Sequence, residues 1–109
     1  MQVYKDHNGL IVNNFEQVPQ DKGHLYHVFL AESTACVSFQ RGPVPNHGVN
    51  GLTNECLLAI LIHRTRFIND QFPCEENRMA IEHMEKALQS FNDRTNNRIA
   101  RGVEGKNLL

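Results

Sequence analysis

A chain of 109 residues with net charge −1 and an isoelectric point near 6.6 has the length of one domain. It lacks the cationic excess of a protein that coats nucleic acid, so no nucleic-acid polymer is expected as partner. Three cysteines, Cys36, Cys56 and Cys74, form no C-x-x-C pair, which favours reduced, cytosolic thiols over a disulfide framework or a zinc site. The polar start, residues 1–6, reads as no signal peptide, and the longest apolar run, residues 57–62, is too short to span a bilayer.

In chain order, Asp6-His7-Asn8-Gly9 carries an Asn-Gly dipeptide between residues 2–5 and 10–15, which predicts a β-hairpin. Residues 18–23 form a second turn cluster. Residues 25–30 and 35–40, rich in aromatic and β-branched side chains and separated by Glu32-Ser33-Thr34, predict another hairpin. Residues 42–48 hold too many prolines and glycines for regular structure and mark a boundary. A first helix should begin at Thr53 or Asn54, run apolar nearly all round through residues 57–62, and give out at residues 64–67. Residues 68–71 then turn the chain back. Cys56, inside the apolar run, reads as a small core residue.

Residues 72–101 predict one long helix of roughly 42 Å. Pro73 fits its first turn, Glu75 and Glu76 suit its positive end, and Gly102 is placed to stop it. One stripe runs Asn77, Ile81, Met84, Leu88, Phe91, Thr95, Arg98, an apolar middle with polar ends. Arg94 lies one turn before Arg98 on nearly the same face. Two such arginines offer forked donors to a phosphate or carboxylate, with ordinary solvation of a helix end as the competing reading. The expected fold class is therefore α+β: a small antiparallel sheet of two N-terminal hairpins, then two antiparallel helices, the second long. The domain reading is a single domain, 1–109, with hairpins in 1–41, a turn-rich connection in 42–52, and a helical hairpin with a short tail in 53–109. So much apolar surface on two helices also predicts an oligomer.

Catalytic and metal readings find little purchase. His24 and His27 lie three apart in an expected strand and point to opposite faces, and His63 and His83 have no ligand-spaced partner. Glu82 and Glu85 read as solvent-side charges, and no glycine-rich phosphate loop leads into a helix. Neither an enzyme nor a cofactor is expected.

The strings Gly48-Val49-Asn50-Gly51-Leu52-Thr53-Asn54-Glu55, Phe72-Pro73-Cys74-Glu75-Glu76-Asn77 and Ala100-Arg101-Gly102-Val103-Glu104-Gly105 resemble the phage family that sequesters cyclic-nucleotide immune signals, which includes Thoeris and CBASS anti-defence sponges. Residues 9–15 and 23–30 resemble its Thoeris branch in particular. The chain departs from the commoner pattern at Cys56 and His63, where alanine and an acidic residue are usual. The resemblance implies a sheet plus two helices that dimerise through the helices, the dimers assembling into a hexamer (a trimer of dimers). It implies a glycocyclic ADP-ribose bound whole and not cleaved, in the cytoplasm of the infected bacterial host, with cyclic di- or trinucleotides at a separate site in some members.

Carried over residue by residue, the ligand site would use Phe67, Asn77, Arg94 and Arg98. Phe67 suits stacking on a base, Asn77 a base or ribose edge, and the arginines a pyrophosphate. Asn77 and Arg98 lie at opposite ends of the stripe, so an antiparallel partner helix would be needed to bring them together. Plain core packing is the competing reading of Phe67. Two other functions stay open: a sponge for cyclic di- or trinucleotides of CBASS-type immunity, with the turn at residues 49–54 and Arg64 and Arg66 as candidates, and a non-nucleotide protein-interaction adaptor.

Overall fold

The computed structural model describes residues 1–102. Its elements run β1 (Gln2–Lys5), β2 (Ile11–Asn14), a 3-10 turn (Pro19–Asp21), β3 (Leu25–Phe29), β4 (Thr34–Ser38), α1 (Val44–His47), α2 (Asn54–Gln71) and α3 (Glu75–Ala100). This is the expected α+β class: a four-stranded antiparallel sheet followed by two long helices. The chain divides into two compact units, Met1–Leu52 and the residues from Thr53 onward. The Val103-Glu104-Gly105 string and the expected tail lie outside the described residues.

In the first unit the strands follow the order β1-β2-β3-β4, with Val12 opposite Val28 and Val28 opposite Ala35. The first hairpin turns where Asn-Gly predicted, but Asp6 organises it. Its Oδ1 accepts from the N–H groups of Asn8 and Leu10, both at 2.9 Å. Gly9 alone in this turn takes a positive φ, +85°, whereas Asn8 does not. Asn14, 6% exposed, ties β2 to β3: its Nδ2 donates to the Leu25 carbonyl at 3.0 Å and its Oδ1 accepts from Gly23 N–H at 3.2 Å. Both ends of the amide are satisfied, so its burial leaves no polar group stranded.

The breaker-rich connection is more ordered than its composition predicts. One helical turn forms at Val44–His47, because Pro43 sits at the N-cap and Pro45 in the first turn, where no N–H is needed, and Gly48 ends it at φ +69°. Gln40 and Asn50 then lock the loop. Gln40 Nε2 donates to Gly48 O at 2.8 Å, its Oε1 accepts from Asn50 N at 2.9 Å, and the Asn50 side chain pairs with both N and O of Arg41. A parallel bridge joins Phe39 to Leu52. Gly51 lies so close to this bridge that a Cβ would stand 2.7 Å from Gln40 N and collide with the Phe39 carbonyl.

In the second unit Thr53 is the N-cap of α2, its Oγ1 accepting from Cys56 N–H at 3.2 Å. The helix does not end at residues 64–67. It runs 18 residues to Gln71, because no glycine or proline interrupts it, and Pro73 is the first residue to force its predecessor out of the helical region. Phe72 accordingly sits at φ −136°, ψ 77°. Pro73 therefore lies in the turn, not in the first turn of α3, which starts at Glu75 with Cys74 as its cap. Arg101 caps the far end and Gly102, at φ +71°, provides the expected stop.

The sequence stripe is the face of α3 that leaves water. Asn77, Ile81, Met84, Leu88, Phe91 and Thr95 are half-buried and Arg98 is buried, while Glu82, Glu85, Lys86 and Asp93 are exposed. On α2 only Ile62 is under a tenth exposed; Ile60 and Leu61 remain 56% and 42% exposed. Cys56 is exposed, like Cys36 and Cys74, and so is no core residue. It follows the N-cap by three positions, on the first turn rather than in the packed seam.

Gly51→Ala tests the close approach at the Phe39–Leu52 bridge. Backbone, not a flexible side chain, occupies the space, so the variant should lose roughly 1–3 kcal/mol in chemical denaturation. Wild-type stability would show that the loop can open without cost.

Candidate functional site

All four sequence-predicted site residues belong to the helical hairpin, on two helices that pack against each other. Phe67 lies within the last turns of α2, not beyond it, and is 59% exposed. That exposure removes core packing as its explanation. Asn77 is half-buried in the first turn of α3, where its N–H donates to Cys74 Sγ at 3.4 Å. The arginines separate. Arg94 is exposed, whereas Arg98 is 5% exposed and already engaged in an interaction. Four residues advance a helix by 400°, or about 40° beyond a full turn, and that offset carries Arg94 off the packed line.

An ion pair between Arg66 of α2 and Glu85 of α3 fixes the levels of the two helices. Phe67 thus stands near Met84, about 10 Å in helical rise from Asn77 and about 15 Å from Arg94. Asn77 and Arg98 are some 31 Å apart along α3 by the same rise. One chain therefore does not gather the four residues into one cluster. The Glu85 pairing also occupies Arg66, and the Asn50 amide is fully used within its own loop.

Elsewhere on α3 the exposed face carries a ladder of charge. Arg78 binds Glu75 through two hydrogen bonds, with Nε to Oε2 at 3.0 Å, and lies 3.9 Å from Glu82, which pairs in turn with Lys86 at 3.4 Å. The hydrogen bond from Arg78 holds the Glu75 carboxyl below the usual carboxylate range, against some loss of solvent and with the guanidinium charge adding. These contacts mark a solvated face.

A hollow of 240 Å³ opens between the helices, lined by Asn54, Leu57, Leu58, Leu61, Ala87 and Phe91. It is smaller than the ≈ 300–1,000 Å³ of ligand pockets in general, and no titratable side chain lines it. Among the described residues no group of three or more His, Cys, Asp or Glu could hold a metal ion. No helix among them is long and apolar enough to cross a membrane.

A small meander sheet followed by a long, tightly turned helical hairpin defines the class of protein. Residues 34–95 match the family described as Acb2/Tad1, hairpin domain, and the chain belongs to that family. The match contains Phe67, Asn77 and Arg94 and stops three residues before Arg98. The chain is also similar to Thoeris anti-defense 1 of Bacillus phage SBSphiJ7, 50% identical over 76 residues. That alignment covers 69% of this chain and 54% of the relative, so the chain spans about half the relative's length.

An exposed phenylalanine contributes little to folding. Phe67→Ala should shift stability by no more than about 0.5 kcal/mol in urea denaturation. A loss of about 3 kcal/mol or more, typical of core phenylalanines, would return Phe67 to a packing role.

Proposed function

We propose that this chain is a phage anti-defence protein that captures a glycocyclic ADP-ribose immune signal whole, so that the Thoeris effector of the infected cell is never activated. The observation that carries the reading is Phe67: a ring 59% exposed on a helix, in a chain half-identical over 76 residues to a Thoeris anti-defence protein. A phenylalanine in water has no folding role to explain it, and a base stacked on it would contribute roughly 1–3 kcal/mol. Asn77 would read a base or ribose edge, and Arg94 and Arg98 would hold the pyrophosphate.

The span between Asn77 and Arg98 supports a site completed by a second chain. An antiparallel copy would set the turn end of one hairpin beside the arginine end of the other. The working unit in this reading is a dimer, with three dimers forming the hexamer. The helix faces left in water, including Ile60, Leu61 and Phe67, supply apolar surface for such contacts. In this reading the ligand is held whole and is not turned over.

Titration calorimetry against glycocyclic ADP-ribose tests the site. Arg94→Ala and Arg98→Ala should each weaken binding by about ten- to a hundredfold, the loss of a charge-assisted contact of roughly 1.5–3 kcal/mol. Lys at either position should recover only part, because the planar fork is lost. Arg94→Ala should keep wild-type stability, while Arg98→Ala should lower it, since only Arg98 is buried. Wild-type affinity in both folded variants would remove the site.

The same complex, heat-denatured, should release its ligand chemically intact. Cleaved product in molar excess over protein would make this chain an enzyme.

A further inference from the structure

The turn between α2 and α3 is only three residues long, Phe72, Pro73 and Cys74, and two hydrogen bonds close it. Phe72 N–H donates to Ile68 O at 2.9 Å, finishing α2. Cys74 N–H donates to the side chain of Asn69, with Oδ1 at 3.0 Å. Pro73 has no N–H to contribute, so these two bonds are what the turn has to set where α3 begins. Cys74 then passes the placement on: its Sγ accepts from Asn77 N–H at 3.4 Å, and its carbonyl accepts from Arg78 N–H at 3.2 Å. Asn69, half-buried in the last turns of α2, thus reaches Asn77 through one residue.

We infer that Asn69 is a positioning residue for Asn77, holding the first turn of α3 in the phase that aims the Asn77 amide at ligand. The inference rests on the reading of Asn77 as a ligand contact. Its physical basis is the unpaired first turn of a helix: without a definite cap that turn frays or starts late, and one residue of drift within it turns the Asn77 side chain by about 100°. A cap tied to the preceding helix removes that freedom. Thiol sulfur is a weak acceptor, so the Cys74–Asn77 bond alone would leave the first turn prone to fraying. The Asn69 amide supplies the firmer of the two ties. Its effect on Asn77 is local, because Arg94 lies more than four turns further along α3.

Two measurements test it. In ligand-free protein, Asn69→Ala should speed amide hydrogen exchange at Cys74 and Asn77 by about tenfold and leave the middle of α3 unchanged. Asn69→Asp, which keeps the acceptor oxygen, should restore slow exchange. Unchanged exchange at both amides in Asn69→Ala would overturn the inference. With glycocyclic ADP-ribose as the probe, Asn69→Ala should weaken binding by about three- to tenfold, and Asn69→Asp should recover it. The loss should vanish in an Asn77→Ala background and persist in an Arg94→Ala background. Equal losses in both backgrounds would overturn the inference, since Asn69 would then act on the whole hairpin. Wild-type affinity in Asn77→Ala would instead overturn the site reading, leaving the exchange result to judge the turn.

Discussion

The helical period imposes the constraint on which the rest of the second unit depends. A helix of 26 residues packed along its length has one line of positions that leaves water, and on α3 that line starts at Asn77 and ends at Arg98. Its apolar middle gives the packing free energy. Its polar ends must then be satisfied within the packed face or they oppose it. Asn77 keeps part of its surface in water, and Arg98 is engaged despite its burial. One consequence is an unlike pair of arginines. Arg98 is buried and already engaged, whereas Arg94, off the line, is exposed; in the proposed function they would meet an anion with different freedom. A held guanidinium has already lost the entropy that a free one must give up on binding.

The elements most legible in the sequence were those written in local chemistry. Asn8-Gly9 marks its turn, Thr53 its cap and Gly102 its stop, because each answers a need of the backbone within a few residues. The stripe was equally legible, since a 3.6-residue period repeated over six turns admits few alternatives. What was not legible depended on the lack of a signal. Residues 68–71 carry no helix breaker, so α2 simply continues until Pro73, and a turn placed there on expected hairpin geometry had no residue to enforce it. Cys74 shows the opposite limit. Cysteine ranks low as an N-cap, and only a neighbouring acceptor, Asn69, makes the start of α3 definite.

The site was partly legible for a different reason. Spacing places Asn77 and Arg98 on one line, but spacing alone gives Arg94 nearly the same face. The 40° between them becomes decisive only once the width of the packed seam is known. Phe67 was ambiguous because sequence does not distinguish an aromatic that packs from one that waits. Continuity of α2 resolves this: with the helix extended to Gln71, Phe67 falls on the line of Ile60, seven positions earlier, rather than with buried Ile62. Gly51 lay in the turn-rich connection with no role of its own legible, and what the fold asks of it is space for the Phe39 backbone, a contact twelve residues away.

Ile60 and Phe67, sharing one exposed line of α2, also relate ligand capture to assembly. They are 56% and 59% exposed, with Arg64 between them on nearly the same face. By helical rise the two side chains stand about 10 Å apart, further than one base can cover. Whatever covers Phe67 with a nucleotide alone leaves Ile60 in water. In the proposed function a second chain laid beside the ligand would cover Ile60, and at about 25 cal/mol per Å² that extra apolar area would favour the assembled form. In the proposed function, then, ligand and second chain draw on adjacent parts of one strip. Each would stabilise the arrangement the other requires, because a ligand held by both chains binds the pair more tightly than either alone. Under that proposal the coupling would matter more than rate, because the effect would depend on keeping free signal low, which is set by affinity and copy number.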